Sequence, residues 1–150
     1  MTIYVSSLDM DERPFVAIPV FPVRAFRHSA VYVNANAGIR EPKDMAGKRV
    51  GEFVFYGHDA GLWPKGILSS EYGVPHASCS WFTGGVGHPE RPQTWVPSRP
   101  PANIRCEHIG TERTLDAMLE AGEIDAKFST VERFAAPLGQ KVEWRVAKSR

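Results

Sequence analysis

Apolar positions fall into short runs separated by turn chemistry, and the runs alternate in character from Ser29 onward. SAVYVN, Ser29 to Asn34, is β-branched and aromatic and predicts a strand; NANAG after it supplies turn residues. EPKDM predicts one helical turn with Pro42 at its first position, closed by Gly47. KRVGEFVF, Lys48 to Phe55, predicts a second strand. In the following stretch Leu62, Trp63, Ile67, Leu68 and Tyr72 fit one helical face, with Gly73 as terminator. A start near Gly61 would put Pro64 in the first turn, where a missing N–H costs little. SCSWFTGG, Ser78 to Gly85, predicts a third strand ending on two glycines, and NIRCEHIG a fourth. The intervening residues 86–103 are rich in Pro and Gly and predict a long loop, a kind often functional. ERTLDAMLEAGEID carries Leu115, Met118 and Leu119 on one face, with Thr111 as a candidate cap, and AKFST predicts a last strand. Residues 1–14 have no clear period and read as an extension. FVAIPVFPV, Phe15 to Val23, is apolar but holds Pro19 and Pro22, so it predicts an edge strand or an extended crossing segment.

The order β-α-β-loop-β-α-β predicts an α/β domain with a mainly parallel sheet flanked by helices. Ligands of such sheets bind beyond the carboxyl ends of the strands. That rule selects Tyr56 to Asp59, Thr83 to Gly85, and Ser129 with Thr130.

Composition narrows the partners. With 43 % apolar and 23 % charged residues the 150-residue chain can build one core. A net charge of +1 leaves no basic excess for a nucleic acid, and no apolar run nears the roughly 18 residues of a membrane span. The N-terminus lacks the pattern of a secretory signal, so the expected location is cytoplasmic. Cys79 and Cys106 have no C-x-x-C spacing and read as free, buried thiols. His58, His76, His88 and His108 lack metal-ligand spacing, so no metal is expected.

Arg27, His28 and Ser29 stand at the mouth of the first predicted strand. An arginine fork suits a carboxylate, and an imidazole can transfer a proton near neutral pH. Free N–H groups at Tyr56, Gly57 and His58 would suit an anion at a helix N-terminus, with Asp59 capping that helix. Thr83, Gly84 and Gly85 would let a ligand approach the backbone. Trp63, Trp81, Phe53 and Phe55 read as core, and Asp116, Glu120, Glu123 and Asp125 as a solvated helix face and its end.

RHSAVYVNANAGIREPKDMAGKRVG, WPKG, EYGV, WFTGG and TLDAMLEAGEIDA, taken together, resemble the 4,5-dihydroxyphthalate decarboxylase family from about Pro14 to Ala126. The resemblance implies a fold similar to the type II periplasmic binding proteins, in which two α/β lobes and a hinge enclose a ligand. It assigns residues 15–130 to one lobe with hinge, residues 1–14 to a non-matching extension and residues 131–150 to a divergent tail. It implies a cofactor-free carboxy-lyase for a dihydroxylated aromatic acid, with Arg27 holding a carboxylate, His28 as the acid, and Ser29, Tyr56, Gly57, His58, Thr83, Gly84 and Gly85 binding substrate. The family pattern is longer, so the chain reads as a truncated form, for which a second copy is a candidate partner. A module that captures a small organic anion without chemistry, or an inactive fragment, fits the same residues.

Overall fold

The computed structural model describes residues 2–20, 30–94 and 99–128. Five strands form one mixed sheet: β1 (Val31–Val33), β2 (Arg49–Phe53), β3 (Ser80–Gly84), β4 (Arg105–His108) and β5 (Ala126–Phe128), in the order β1-β5-β2-β3-β4. Every pair is parallel except β1 with β5. Residues Thr2–Ser6 form a short helix, α1, continued by a tighter turn at Ser7–Asp9, in a stretch without a clear period. Helix α2 (Asp59–Tyr72) connects β2 to β3, and α3 (Leu115–Glu120) connects β4 to β5. The five strands and two helices of the expected α/β pattern are thus present, together with the turn at Pro42–Met45.

Helices α2 and α3 cover opposite faces of the sheet. Side chains alternate along β2, so Val50 and Glu52 face α2 while Gly51 and Phe53 face α3. A Cβ on Gly51 would run into Leu115 and Ile124, and one on Gly61 into Glu52. On the α2 side, Val50, Leu68, Trp81, Ala126 and Phe128 pack with Met45, Val74 and Cys79. Trp81 lies edge-on to Phe128 and donates its indole N–H to the His76 carbonyl at 2.8 Å. On the other side Leu115, Met118 and Leu119 pack with Tyr32, Val86 and Ile124.

Several local expectations are corrected. Helix α2 begins at Asp59, which puts Pro64 inside it rather than in its first turn. Its buried stripe is Ala60, Gly61, Pro64, Lys65 and Leu68; Leu62 and Trp63 face outward, Trp63 at 50 % exposure. Ala60 and Gly61 allow close approach to the sheet, so they, and not Leu62 and Trp63, hold the inner face in the first turns. Helix α3 spans six residues, and Thr114 caps it by accepting the Ala117 N–H at 3.2 Å. Thr111 lies outside the helix. Phe15 to Val20 belong to no strand, which leaves the extended alternative, and Val16, Ile18 and Val20 are exposed; Phe21 to Val23 lie outside the described residues. Both cysteines are free, Cys79 buried and Cys106 half-buried. No helix among the described residues is long and apolar enough to cross a membrane.

Candidate functional site

Four parallel strands end on one rim. Register lines up Phe128, Glu52, Thr83 and His108 across it: Glu52 pairs with Phe128 on one side and Thr83 on the other, and Thr83 pairs with His108. Strand β1 runs the other way, and Val31 sits opposite Phe128, so β1 starts at this same rim. Arg27, His28, Ser29 and the candidate pair Ser129 and Thr130 lie outside the described residues.

The loop after β2 is organised by a group that periodicity and motif spacing do not single out. Glu52 is fully buried. Its Oε1 accepts the Gly57 N–H at 2.9 Å and its Oε2 accepts Lys65 Nζ at 2.6 Å. Lys65, also buried, lies 3.6 Å over the Tyr56 ring and 4.7 Å over Trp81. Burial raises the Glu52 carboxyl to about 7 against the opposing pull of Lys65 and the Gly57 and His58 N–H groups. Burial likewise lowers Lys65, opposed by Glu52. Burial, with the Glu52 charge nearby, raises the Tyr56 phenol. The anion expected at the N-terminus of α2 is therefore supplied from within: Glu52 occupies the Gly57 donor. The cap is His58, not Asp59: its Nδ1 accepts the Ala60 N–H at 3.1 Å, and its ring stands edge-on to Phe53 and Phe55. Between β2 and this loop Val54 takes a φ of 66°, an uncommon and strained conformation for a β-branched residue.

Thr83 is buried on the same face as Trp81, two residues along β3, and Tyr56 meets the Trp81 ring edge-on. Tyr56 and Thr83 thus share one face at one end of the sheet. Gly84 and Gly85 serve packing: a Cβ on Gly84 would strike Ile109, and one on Gly85 the backbone of His88 and Glu90. What approaches the Gly85 backbone is this chain's own loop. That loop brings Glu90 back to β3, with its carboxylate 2.9 Å from His88 Nε2.

Acidic residues expected to be solvated are partly structural. Asp116 accepts the Gly87 N–H at 2.7 Å and pairs with Lys127, a buried lysine on the α3 face that lies 5.3 Å from the Tyr32 ring. Burial brings Lys127 down to about 8. Asp125 binds Arg49 through two contacts of 3.1 and 2.8 Å. His108, weighed above only as a metal ligand, ends the same row on the rim. Its Nδ1 accepts the Gly110 N–H at 3.0 Å, which leaves the proton on Nε2, a buried atom without a partner among the described residues. Desolvation lowers its pKa, favouring that neutral ring. Among the described residues no three His, Cys, Asp or Glu groups gather to hold a metal ion.

The missed residues carry a faint signal. A glutamate interrupts the apolar run RVGEFVF, and Gly61 and Lys65, four residues apart, lie along one side of α2.

No family model matches the chain. Over 112 residues, 75 % of this chain, it is 40 % identical to a 4,5-dihydroxyphthalate decarboxylase of Comamonas testosteroni, 33 % of which is covered. It is 35 % identical over 113 residues, again 75 % of the chain, to the enzyme of the same name from Pseudomonas putida, 43 % of which is covered. The chain is thus similar over three quarters of its length to 4,5-dihydroxyphthalate decarboxylases, and it spans between a third and somewhat under half of the relatives it matches.

Proposed function

We propose that this chain acts on a dihydroxylated aromatic carboxylate of the 4,5-dihydroxyphthalate type and releases carbon dioxide from it. The similarity to two decarboxylases over three quarters of the chain carries this reading. The convergence of four strand ends on one rim, where β1 also starts, agrees with it. In finer terms, the sheet is one lobe of a type II periplasmic-binding-protein-like fold, and the ligand lies across the rim.

The chemistry asks for little. A ring hydroxyl feeds electron density to the ring carbon that bears the carboxylate, and that carbon takes a proton. The bond from ring to carboxylate then breaks, its electron pair returns to the ring, and carbon dioxide leaves. Arg27 holds the second carboxylate by its planar fork. His28 delivers the proton, and the Ser29 hydroxyl binds the substrate. Because the Gly57 N–H and His58 Nδ1 are engaged internally, Tyr56, Gly57 and His58 contribute the shape and rings of a wall rather than free donors. Thr83, on the same face as Tyr56, with Gly84 and Gly85 beyond it, extends that wall along the end of β3.

The test is carbon dioxide release from 4,5-dihydroxyphthalate by the full chain. We expect turnover that falls about 100-fold or more in His28→Ala, the usual loss when a general acid is removed. Arg27→Ala should act chiefly on KM. Saturable binding of the substrate without gas release would replace this reading with a binding module; neither binding nor turnover would refute both.

A further inference from the structure

We propose that the buried Glu52–Lys65 pair is the positioning unit of the rim loop Val54 to His58, and that it sets the rim's affinity for a small acid without touching the ligand. The inference rests on the reading above only for the identity of that acid.

Two buried charges lose hydration that their attraction only just restores, and an apolar pair of like volume often serves stability as well. Stability alone is therefore a weak reason for Glu52 and Lys65 to occupy the centre of the α2 face. Their geometry supplies a better one. The two oxygens of Glu52 hold different partners, Oε1 the Gly57 N–H and Oε2 the Lys65 ammonium. Lys65 in turn lies against the Tyr56 ring, so both charges grip adjacent residues of one loop. Space for the carboxylate exists because Gly61 has no side chain. A third observation comes from the backbone. Val54, at the start of this loop, holds a positive φ that persists only where surrounding contacts over-determine the backbone. The contacts around it include the Val54 N–H to the Gly84 carbonyl at 2.8 Å, the Phe55 N–H to the Phe53 carbonyl at 2.9 Å, the His58 N–H to the Phe55 carbonyl at 3.1 Å, and the Glu52 grip three residues later.

The groups facing Glu52 are few. Helix α2 presents Lys65, the loop presents Tyr56 and His58, and β4 presents Cys106, with His108 farther along the same row. The neighbouring strands β3 and β5 present Thr83 and Phe128.

Three proteins test this: the full chain, Glu52→Gln, and the charge-free double variant Glu52→Leu with Lys65→Met, which can fold without an unpaired buried charge. The Gly57 amide resonance should titrate in the full chain with a midpoint near 7, and this titration should vanish in Glu52→Gln. Phthalate, used as the probe acid, should bind the double variant at least roughly 10-fold more weakly, while thermal stability changes little. In turnover assays KM should rise and kcat should hold. A merely structural pair would shift stability and leave affinity and KM alone. Wild-type phthalate affinity in the double variant, or a Gly57 amide that ignores pH, would overturn the proposal. If the full chain binds no phthalate, amide exchange decides. Faster exchange at residues 54–58 in the double variant, with the sheet amides unchanged, supports positioning. Equal exchange overturns it, whatever becomes of the decarboxylase reading.

Discussion

Gly61 has room for a hydrogen atom and nothing larger, because the Glu52 carboxylate fills the place of its side chain. Gly61→Ala should therefore displace Glu52 or push α2 off the sheet, costing about 1–3 kcal/mol as overpacking does. A urea titration measures it, and the Gly57 amide should shift as well. By contrast Gly66, on the outer side of α2 with open space around it, should accept alanine with a gain of up to about 1 kcal/mol. Both residues look alike in the sequence. What distinguishes them is the neighbour across the helix–sheet interface, and nothing local announces it. Glu52 was hidden for a related reason: alternation in RVGEFVF shows that it shares a face with Val50, but only the partner on α2 shows that a charge can be kept there.

At the scale of elements the sequence was legible where a pattern repeats. The core residues of β2 and β3, the buried trio of α3, and the ends at Gly47 and Gly73 follow from β-branched runs, helical spacing and the positive φ that glycine accepts, 77° and 67° here. Helix starts were less legible. At α2 an imidazole takes the cap that an aspartate was expected to hold, and at α3 the cap lies three residues beyond Thr111. Thr114→Ala should cost about 1 kcal/mol by removing the acceptor for the Ala117 N–H, whereas Thr111→Ala should leave stability within about 0.5 kcal/mol. Chemical denaturation of the two variants compares them directly. The inner face of α2 was misread because amphipathic reasoning assigns the largest apolar residues to the core. Here Pro64, Gly61 and Ala60 lie inside, since the helix approaches the sheet closely and its one long charged inward side chain is Lys65.

For the molecule as a whole, the buried charges predict how stability depends on pH. Glu52 titrates near 7 when folded, above its ordinary 4.5, so the folded state binds the extra proton and its stabilisation is lost as pH rises between those values. Lys127 titrates near 8 when folded, below its ordinary 10.5, so the unfolded chain binds the extra proton and stability returns as pH rises through that window. Asp125, held low by its hydrogen bond to Arg49, adds stability that is lost only in stronger acid, below its ordinary 3.8. Together these give a minimum between about pH 7 and 8, bounded by the Glu52 and Lys127 titrations. Urea midpoints measured from pH 4 to 10 should trace it. The acid-side slope should disappear in the double variant at Glu52 and Lys65, and the alkaline rise should weaken in Lys127→Met, with Lys65 supplying a rise of the same sign and Cys106 opposing it. The sequence by itself determined the alternation of strands and helices, the mainly parallel sheet and the rim at which its parallel strands end. Those follow from periodicities of two and 3.6 and from the handedness of crossovers, all properties of the local chain. Only the tertiary structure decided which donors on that rim are already taken. Glu52 meets Gly57 and Lys65, and Gly85 meets His88 and Glu90, through contacts set by how closely a helix or loop packs against the sheet. That distance depends on every side chain in the interface at once, and no single stretch of sequence contains it.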